Sequence, residues 1–232
     1  MKYTEFYNEL KSHDIILSDK QKSQFKKYQS HLVQENEKIN LTSIVEEEEI
    51  IDKHFYDSAL GSFNIKLEGC LVDIGSGAGF PGVVLKILYP NLKVILVEPI
   101  RKRCDFLERL IKELDLNNIE VVCKRAEDFS LDHRSKYDYV TARAVSSLNI
   151  LIEVSGALVK KGGTFIALRG KDGDKDIEDA QKALKTMGFA VQENVEASLY
   201  DGSIRKIYYL VKEKDTPKSF PRQYSIIKKN PL

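Results

Sequence analysis

The stretch Asp73-Ile74-Gly75-Ser76-Gly77-Ala78-Gly79-Phe80-Pro81-Gly82 constrains this chain more than any other. It follows the apolar run Cys70-Leu71-Val72 and precedes Val83-Val84-Leu85-Lys86-Ile87-Leu88, which stops before Pro90. The order reads as strand, glycine turn, helix. Glycines turn the backbone sharply at positive φ and let a ligand approach main-chain N–H groups where a helix begins. A flat, polar ligand is expected there. Taken alone, Gly77 to Gly82 satisfies G-x-G-x-x-G, with Glu98 at the distance of a ribose-binding acid, and would point to a dinucleotide.

From Gly69 onward short apolar runs alternate with amphipathic segments, which predicts βαβ units and a mostly parallel sheet. Strands are expected near 70–74, 93–98, 119–123, 137–142 and 163–168, with helices at about 80–89, 100–115, 147–159 and 174–187. A last pair, roughly 189–198 and 204–212, is close enough in sequence to pair antiparallel across Asp201-Gly202. The expected fold is α/β: a Rossmann-like, mostly parallel seven-stranded sheet with an antiparallel last strand, preceded by N-terminal helices. Ahead of the sheet, Tyr3, Phe6, Tyr7 and Leu10 recur at helical spacing, and a second helix runs from a cap at Ser18 to Asn40. Ser43-Ile44-Val45-Glu46 has the capping-box pattern, which predicts a third helix through His54 and Asp57. The expected division is 1–66, a helical extension packed on the core; 67–213, the Rossmann-like domain; and 214–232, a basic tail, extended or mobile because Pro217, Pro221 and Pro231 punctuate it.

Composition removes several classes. Lys+Arg number 36 against 35 Asp+Glu, so any basic contact surface must be local. Cys70, Cys104 and Cys123 lack CxxC spacing; neither a disulfide framework nor a metal site is indicated, and they read as small apolar packing residues in a reducing compartment. The N-terminus lacks an apolar leader and no apolar run reaches membrane-spanning length, so a soluble, cytoplasmic monomer is expected.

The glycine stretch also reads D-x-G-x-G-x-G, with Asp73 at the strand end and Gly75, Gly77 and Gly79 alternating, which is the more demanding pattern of class I S-adenosylmethionine (AdoMet) methyltransferases. Val94-Ile95-Leu96-Val97-Glu98 agrees, ending in an acid able to accept both ribose hydroxyls. Arg125-Ala126-Glu127-Asp128 follows the third strand, where the two acids either read an adenine amine or simply begin a helix. Arg143 falls just beyond the fourth strand, at the carboxyl edge where open α/β sheets bind ligands. His54 and Asp57, three apart, share a helix face; they either cap a pocket or hold the N-terminal helices to the sheet.

Together these residues closely resemble the RsmG family, also called glucose-inhibited division protein B, the bacterial methyltransferases of small-subunit ribosomal RNA. The resemblance rests on Asn40-Leu41-Thr42-Ser43, Lys53-His54 with Asp57-Ser58, the stretch 73–82 with its specific Phe80-Pro81-Gly82 extension, Lys102-Arg103 before Phe106-Leu107, Arg143-Ala144, and the closing Pro221-Arg222 and Lys228-Lys229-Asn230-Pro231-Leu232. It implies Gly75, Phe80, Ala126, Glu127 and Arg143 as AdoMet contacts, beside Asp73, Gly77, Gly79 and Glu98 from the pattern itself. It further implies methylation of a guanine N7 in 16S ribosomal RNA, free or in a partly assembled particle. N7 carries a free lone pair, so no catalytic base is required, and His54, Asp57 and Arg143 are positioning candidates only. Exocyclic-amine methylation is disfavoured because Ala142-Arg143-Ala144-Val145 replaces the expected Pro-Pro-aromatic motif, and cytosine C5 methylation because no cysteine lies at that loop. Expected RNA contacts are Lys102, Arg103, Arg169, Lys171, Arg205, Lys218, Arg222, Lys228 and Lys229, a basic rim with Phe220 or Tyr224 able to stack on a base. Competing readings are a small-molecule methyltransferase, an AdoMet- or RNA-binding protein without turnover, and a nicotinamide-dependent oxidoreductase.

Overall fold

Seven strands make one sheet in the computed structural model, which describes residues 1–143 and 146–232. Ala144 and Val145, and with them part of the Arg143-Ala144 and 142–145 motifs, lie outside the described residues. The strands are β1 Cys70–Ile74, β2 Lys93–Val97, β3 Ile119–Val122, β4 Tyr137–Arg143, β5 Val159–Arg169, β6 Phe189–Ser198 and β7 Ile204–Lys212. Their order is β3-β2-β1-β4-β5-β7-β6. The first five run parallel, and β7 is antiparallel to both β5 and β6. The order reverses between β1 and β4, which opens a crevice at their carboxyl ends.

Alternation along the strands divides the interior into two layers. Leu71, Val94 and Leu96 face a core shared with the first helices α1 (Tyr3–Ser12) and α2 (Asp19–Ile39). Val72, Ile74, Ile95 and Val97 face the opposite core with Leu151, Ile152, Leu184 and Met187. Phe6, Phe25, Tyr28 and Phe55 form a run of ring contacts, with centroids 5.1–5.3 Å apart between Phe6 and Phe25, Phe25 and Phe55, and Tyr28 and Phe55.

Ser18 caps α2 through a full capping box with Gln21. Ser43 does not cap the third helix. That helix begins at Glu47 with Glu46 as its N-cap, α3 (Glu47–Ile50), then widens into a π-helix over Ile51–Tyr56 before α4 (Asp57–Ala59) and a 3₁₀ turn over Leu60–Ser62. Burial on all sides explains the irregularity: Ile50, Ile51, Asp52, His54, Phe55, Asp57 and Ser58 are all inside, so no single face directs the winding. Further along lie α5 (Gly82–Leu88), α6 (Arg101–Glu113), α7 (Ala126–Asp132) and α8 (Leu148–Ser155). The helix expected over 174–187 is two, α9 (Gly173–Asp179) and α10 (Gln181–Met187), broken at the fully buried Ala180. The tail is also more regular than expected. It forms α11 (Tyr224–Lys229), with Ile227 fully buried and Phe220 packed on the second core.

Candidate functional site

Two adjoining cavities open at the carboxyl edge of the sheet, and both are lined by Ser146. The smaller is a cleft of 280 Å³ at the ends of β1, β2 and β3. Ile74, Val97, Ile100, Ile150 and Val154 make its walls apolar, and Gly75, Glu98, Arg103, Ala126 and Glu127 supply polar groups. Such a mixture suits a nucleoside. Glu98, 1% exposed, sits at the end of β2, where one oxygen accepts the Gly77 amide (2.9 Å) and the other the Ile100 amide (3.0 Å). A carboxylate has about four acceptor sites. The two remaining suit a pair of vicinal hydroxyls.

The other glycine-loop residues shape the cleft from beneath. Asp73 does not line it. The side chain is fully buried under the loop, where Oδ2 accepts the Gly82 amide at the start of α5 (2.9 Å) and Oδ1 has no hydrogen-bond partner among the described residues. Burial raises its pKa from 3.8 to about 7. Gly79 has φ of +101°, and a Cβ there would lie 2.6 Å from Tyr28 Oη. That hydroxyl donates to the Ala78 carbonyl (2.6 Å), so α2 holds the loop directly. Phe80 is buried away from the cleft, stacked on Tyr28 (5.3 Å) and His54 (4.4 Å), with the Arg143 guanidinium 5.0 Å over its ring.

The larger cavity, 690 Å³, lies on the other side of Ser146 and is lined by Ile44, Lys53, His54, Asp57, Arg143, Leu168, Arg169, Gly170, Asp176 and Arg205. Four of these side chains are cations and two are carboxylates. Asp57 bridges two of the cations: Oδ2 accepts from Arg143 and Oδ1 from Arg205, each at 2.8 Å. The Lys53 carbonyl, within the π-helix, also accepts from Arg143 (2.8 Å). His54 is neutral, its pKa pushed down to about 3 by burial and by Arg143. Thr42 Oγ1 takes the Ile44 amide (3.1 Å) and lies 2.8 Å from His54 Nε2, while Nδ1 lies 3.1 Å from the Lys53 carbonyl oxygen and 3.3 Å from Arg143 Nη2. The Asn40–Ser43 stretch is thus a clasp that pins the loop after α2 to the π-helix.

The expected basic rim divides into two groups. Arg169 donates to Asp176 (2.7 Å) and to the Ser146 carbonyl (3.1 Å), while Arg205 is held by Asp57. Arg222 makes a two-pronged pair with the fully buried Glu153, both bonds 2.6 Å, so it is a tail anchor and not a free surface cation. Lys102, Lys171, Lys218, Lys228 and Lys229 are exposed, and Arg103 lies at the cleft, 3.9 Å from Glu98. Of the cysteines, Cys104 is buried against the Glu98 carbonyl, Cys70 is half-buried and Cys123 is exposed, so the last is not a packing residue. Among the described residues no cluster of His, Cys, Asp and Glu could hold a metal ion. Sequence reasoning gave no site role to Lys53 and Asp176 at the larger cavity or to Ile100, Ile150 and Val154 at the cleft; all of these come together only through the tertiary fold.

Comparison with known proteins agrees with this geometry. The family described as rRNA small subunit methyltransferase G (GidB) matches residues 21–208. Ribosomal RNA small subunit methyltransferase G of Staphylococcus saprophyticus is 45% identical, covering 97% of this chain and 95% of that protein. The protein of the same name from Lactobacillus acidophilus is 44% identical, covering 98% of each. Among solved structures, M. jannaschii TYW2 in complex with AdoMet superposes with a TM-score of 0.53 at 17% identity, over 64% of this chain and 71% of that one. The precorrin-6y C5,15-methyltransferase of Geobacter metallireducens gives 0.50 at 18%, over 67% and 86%. Likeness at that level of identity establishes the fold, which is that of class I methyltransferases.

Proposed function

The chain belongs to the rRNA small subunit methyltransferase G family, and we propose that it transfers a methyl group from AdoMet to N7 of a guanine in 16S ribosomal RNA. The observation that carries this reading is the pair of adjoining cavities sharing Ser146: a nucleoside-sized cleft with a buried carboxylate, beside a larger one framed by Lys53, Arg143, Arg169 and Arg205.

The cleft residues fit AdoMet. Glu98 would accept the ribose hydroxyls, the main chain at Gly75 would flank the amino-acid end, and Ala126 and Glu127 at the start of α7 would meet the adenine edge. When bound, AdoMet supplies an electrophilic methyl group on a sulfonium. The larger cavity would take the guanine nucleotide, with its cations on the phosphates. Arg143, Arg205 and Asp57 act as one rigid unit: the carboxylate fixes both guanidinium groups and offsets part of their charge, which eases the arrival of positive charge on the purine. Among the described residues His54, Asp57 and Asp73 are not set up as a base, and Asp176, the other carboxylate of the cavity, is paired with Arg169. His54 has Nε2 against Thr42, each Asp57 oxygen is paired with an arginine, and Asp73 is sealed beneath the loop. That arrangement suits N7, whose lone pair attacks without losing a proton, so catalysis rests on alignment and exclusion of water.

The three segments have separate tasks in this reading. Residues 1–66 build a wall of the acceptor cavity, 67–213 hold AdoMet, and 214–232 flank the cleft. The exposed Lys102, Lys171, Lys218, Lys228 and Lys229 would contact RNA phosphates, on the free RNA or on a small-subunit particle. Of the exposed large apolar side chains among the described residues, Ile16, Val45, Ile100, Leu131, Val191, Tyr200, Tyr224 and Ile226, only Tyr224 and Ile226 share an element, a scatter that favours a monomer. No helix among the described residues is long and apolar enough to cross a membrane, in keeping with a cytoplasmic site of action.

The test is methylation of small-subunit RNA, bare and as particles, from cells lacking the gene. Radiolabel from AdoMet should enter the RNA and be recovered as 7-methylguanosine by mass spectrometry. Label confined to small molecules, or in a different nucleoside, would overturn the assignment.

A further inference from the structure

We propose that the C-terminal segment is a fixed strap whose Tyr224 ring covers the purine end of AdoMet, making the tail part of the cofactor site. This rests on the cleft being the AdoMet site, as set out above. Tyr224 lines that cleft from α11, together with Val97, Glu98 and Ile100 at the end of β2. Its ring lies 5.8 Å from the Arg125 guanidinium, immediately before Ala126 and Glu127, so it stands at the end of the cleft where the adenine edge would be read and not at the end facing Ser146 and the larger cavity. The ring is 37% exposed, although tyrosine of this size normally buries its body. The Arg125 guanidinium lies over the ring, and the side chain lines the cleft.

The strap is held on both sides of Tyr224. Upstream, Arg134 donates to the carbonyls of Thr216, Pro217 and Phe220. Arg222 forms its two-pronged bond to Glu153 in α8, the helix that also supplies Ile150 and Val154 to the cleft. Downstream, Ile227 is fully buried and Arg222 Nη2 reaches the Asn230 carbonyl (3.1 Å), closing a short loop around the tyrosine. A ring fixed in this way loses little freedom when a base stacks on it.

Titration calorimetry with AdoMet on the full-length chain tests the strap. Stacking of one base on an aromatic ring corresponds to roughly a tenfold change in affinity. Tyr224→Ala should therefore weaken AdoMet binding about tenfold, with a smaller change in KM for RNA. Tyr224→Phe, which keeps the ring, should recover most of that loss, and Arg222→Gln, which unhitches the strap, should reproduce it. If Tyr224→Ala does not fold, Tyr224→Leu keeps an apolar side chain without a π-face and should show the same loss. Wild-type AdoMet affinity in the folded Ala or Leu variant, with or without weaker RNA binding, overturns the strap and leaves the cofactor site standing. Failure of the wild-type chain to bind AdoMet would overturn the cofactor reading itself, and the strap with it.

Discussion

Asp73 shows at the scale of one residue how a motif position differs from a contact. The strand-end acid of D-x-G-x-G-x-G reads as a cofactor ligand, yet it sits below the loop and caps α5 through the Gly82 amide. Burial lifts its pKa from 3.8 to about 7. Between those values the folded chain holds a proton that the unfolded chain has released, so this group's contribution is complete below pH 3.8 and is lost as pH rises through about 7. Asp73→Asn has no such titration. Its stability relative to wild type should climb by up to ~1.4 kcal/mol per pH unit across that interval and level off above it. Urea unfolding of both proteins from about pH 4.5, inside that interval, to about pH 8, roughly one unit above its upper end, measures the difference; a flat difference would mean that the buried acid ionises as readily as an exposed one. His54 has the opposite sign. With its pKa lowered from 6.5 to about 3, its contribution is present above pH 6.5 and is lost as pH falls toward 3, so the two groups oppose each other in wild type and only a variant exposes either.

At the scale of elements, the glycine loop is built by what touches it from outside the βα unit. Gly79 has no room for a side chain, with Tyr28 Oη at 2.6 Å and Val83 Cγ2 at 2.7 Å from a Cβ, whereas a Cβ on Gly77 would meet only the Gly75 carbonyl oxygen at 3.8 Å. Gly79→Ala should cost about 3 kcal/mol through overpacking and strain. Gly77→Ala, at φ of +56°, should cost only about 1–2 kcal/mol. Denaturant midpoints of the two variants give the ranking, and the reverse order would remove Tyr28 from its role as the loop's support. The βα units were legible in the sequence because each is a short apolar run followed by an amphipathic segment, and the first of them carries the glycine turn. The segment 50–62 was not, since nearly all of its residues are buried, and Ser43 mimics a cap while Thr42 does the joining. The six-residue α11, with Ile227 as its one fully buried residue, is too short to show a period. The cations misread as free, Arg169, Arg205 and Arg222, have partners on other elements; for Arg205 and Arg222 these lie 148 and 69 residues away.

For the molecule as a whole, the division into helices, sheet domain and tail describes tasks better than it describes folding units. Phe6, Phe25, Tyr28, Leu32 and Phe55 belong to the same core as Val83, Val84, Ile87, Phe106, Leu107 and Leu110 from α5 and α6. Without the first 66 residues, the side of α5 and α6 that packs on α1 and α2 would lie open to water, together with the Tyr28 side of the glycine loop and one wall of the larger cavity. Burying each such side chain is worth about 1.5–3 kcal/mol, so losing several exceeds the 5–15 kcal/mol by which a typical protein is folded. A chain beginning at residue 67 should therefore show no cooperative unfolding transition and should bind a hydrophobic dye before denaturant is added. In the full chain, far-ultraviolet dichroism of the helices and tyrosine fluorescence should report coincident transitions. Two separated transitions, or a cooperatively folding 67–232 fragment, would show instead that the helices are an appendage. The larger cavity could then be altered without cost to the sheet, whereas a single transition ties the shape of both cavities to the stability of the whole chain.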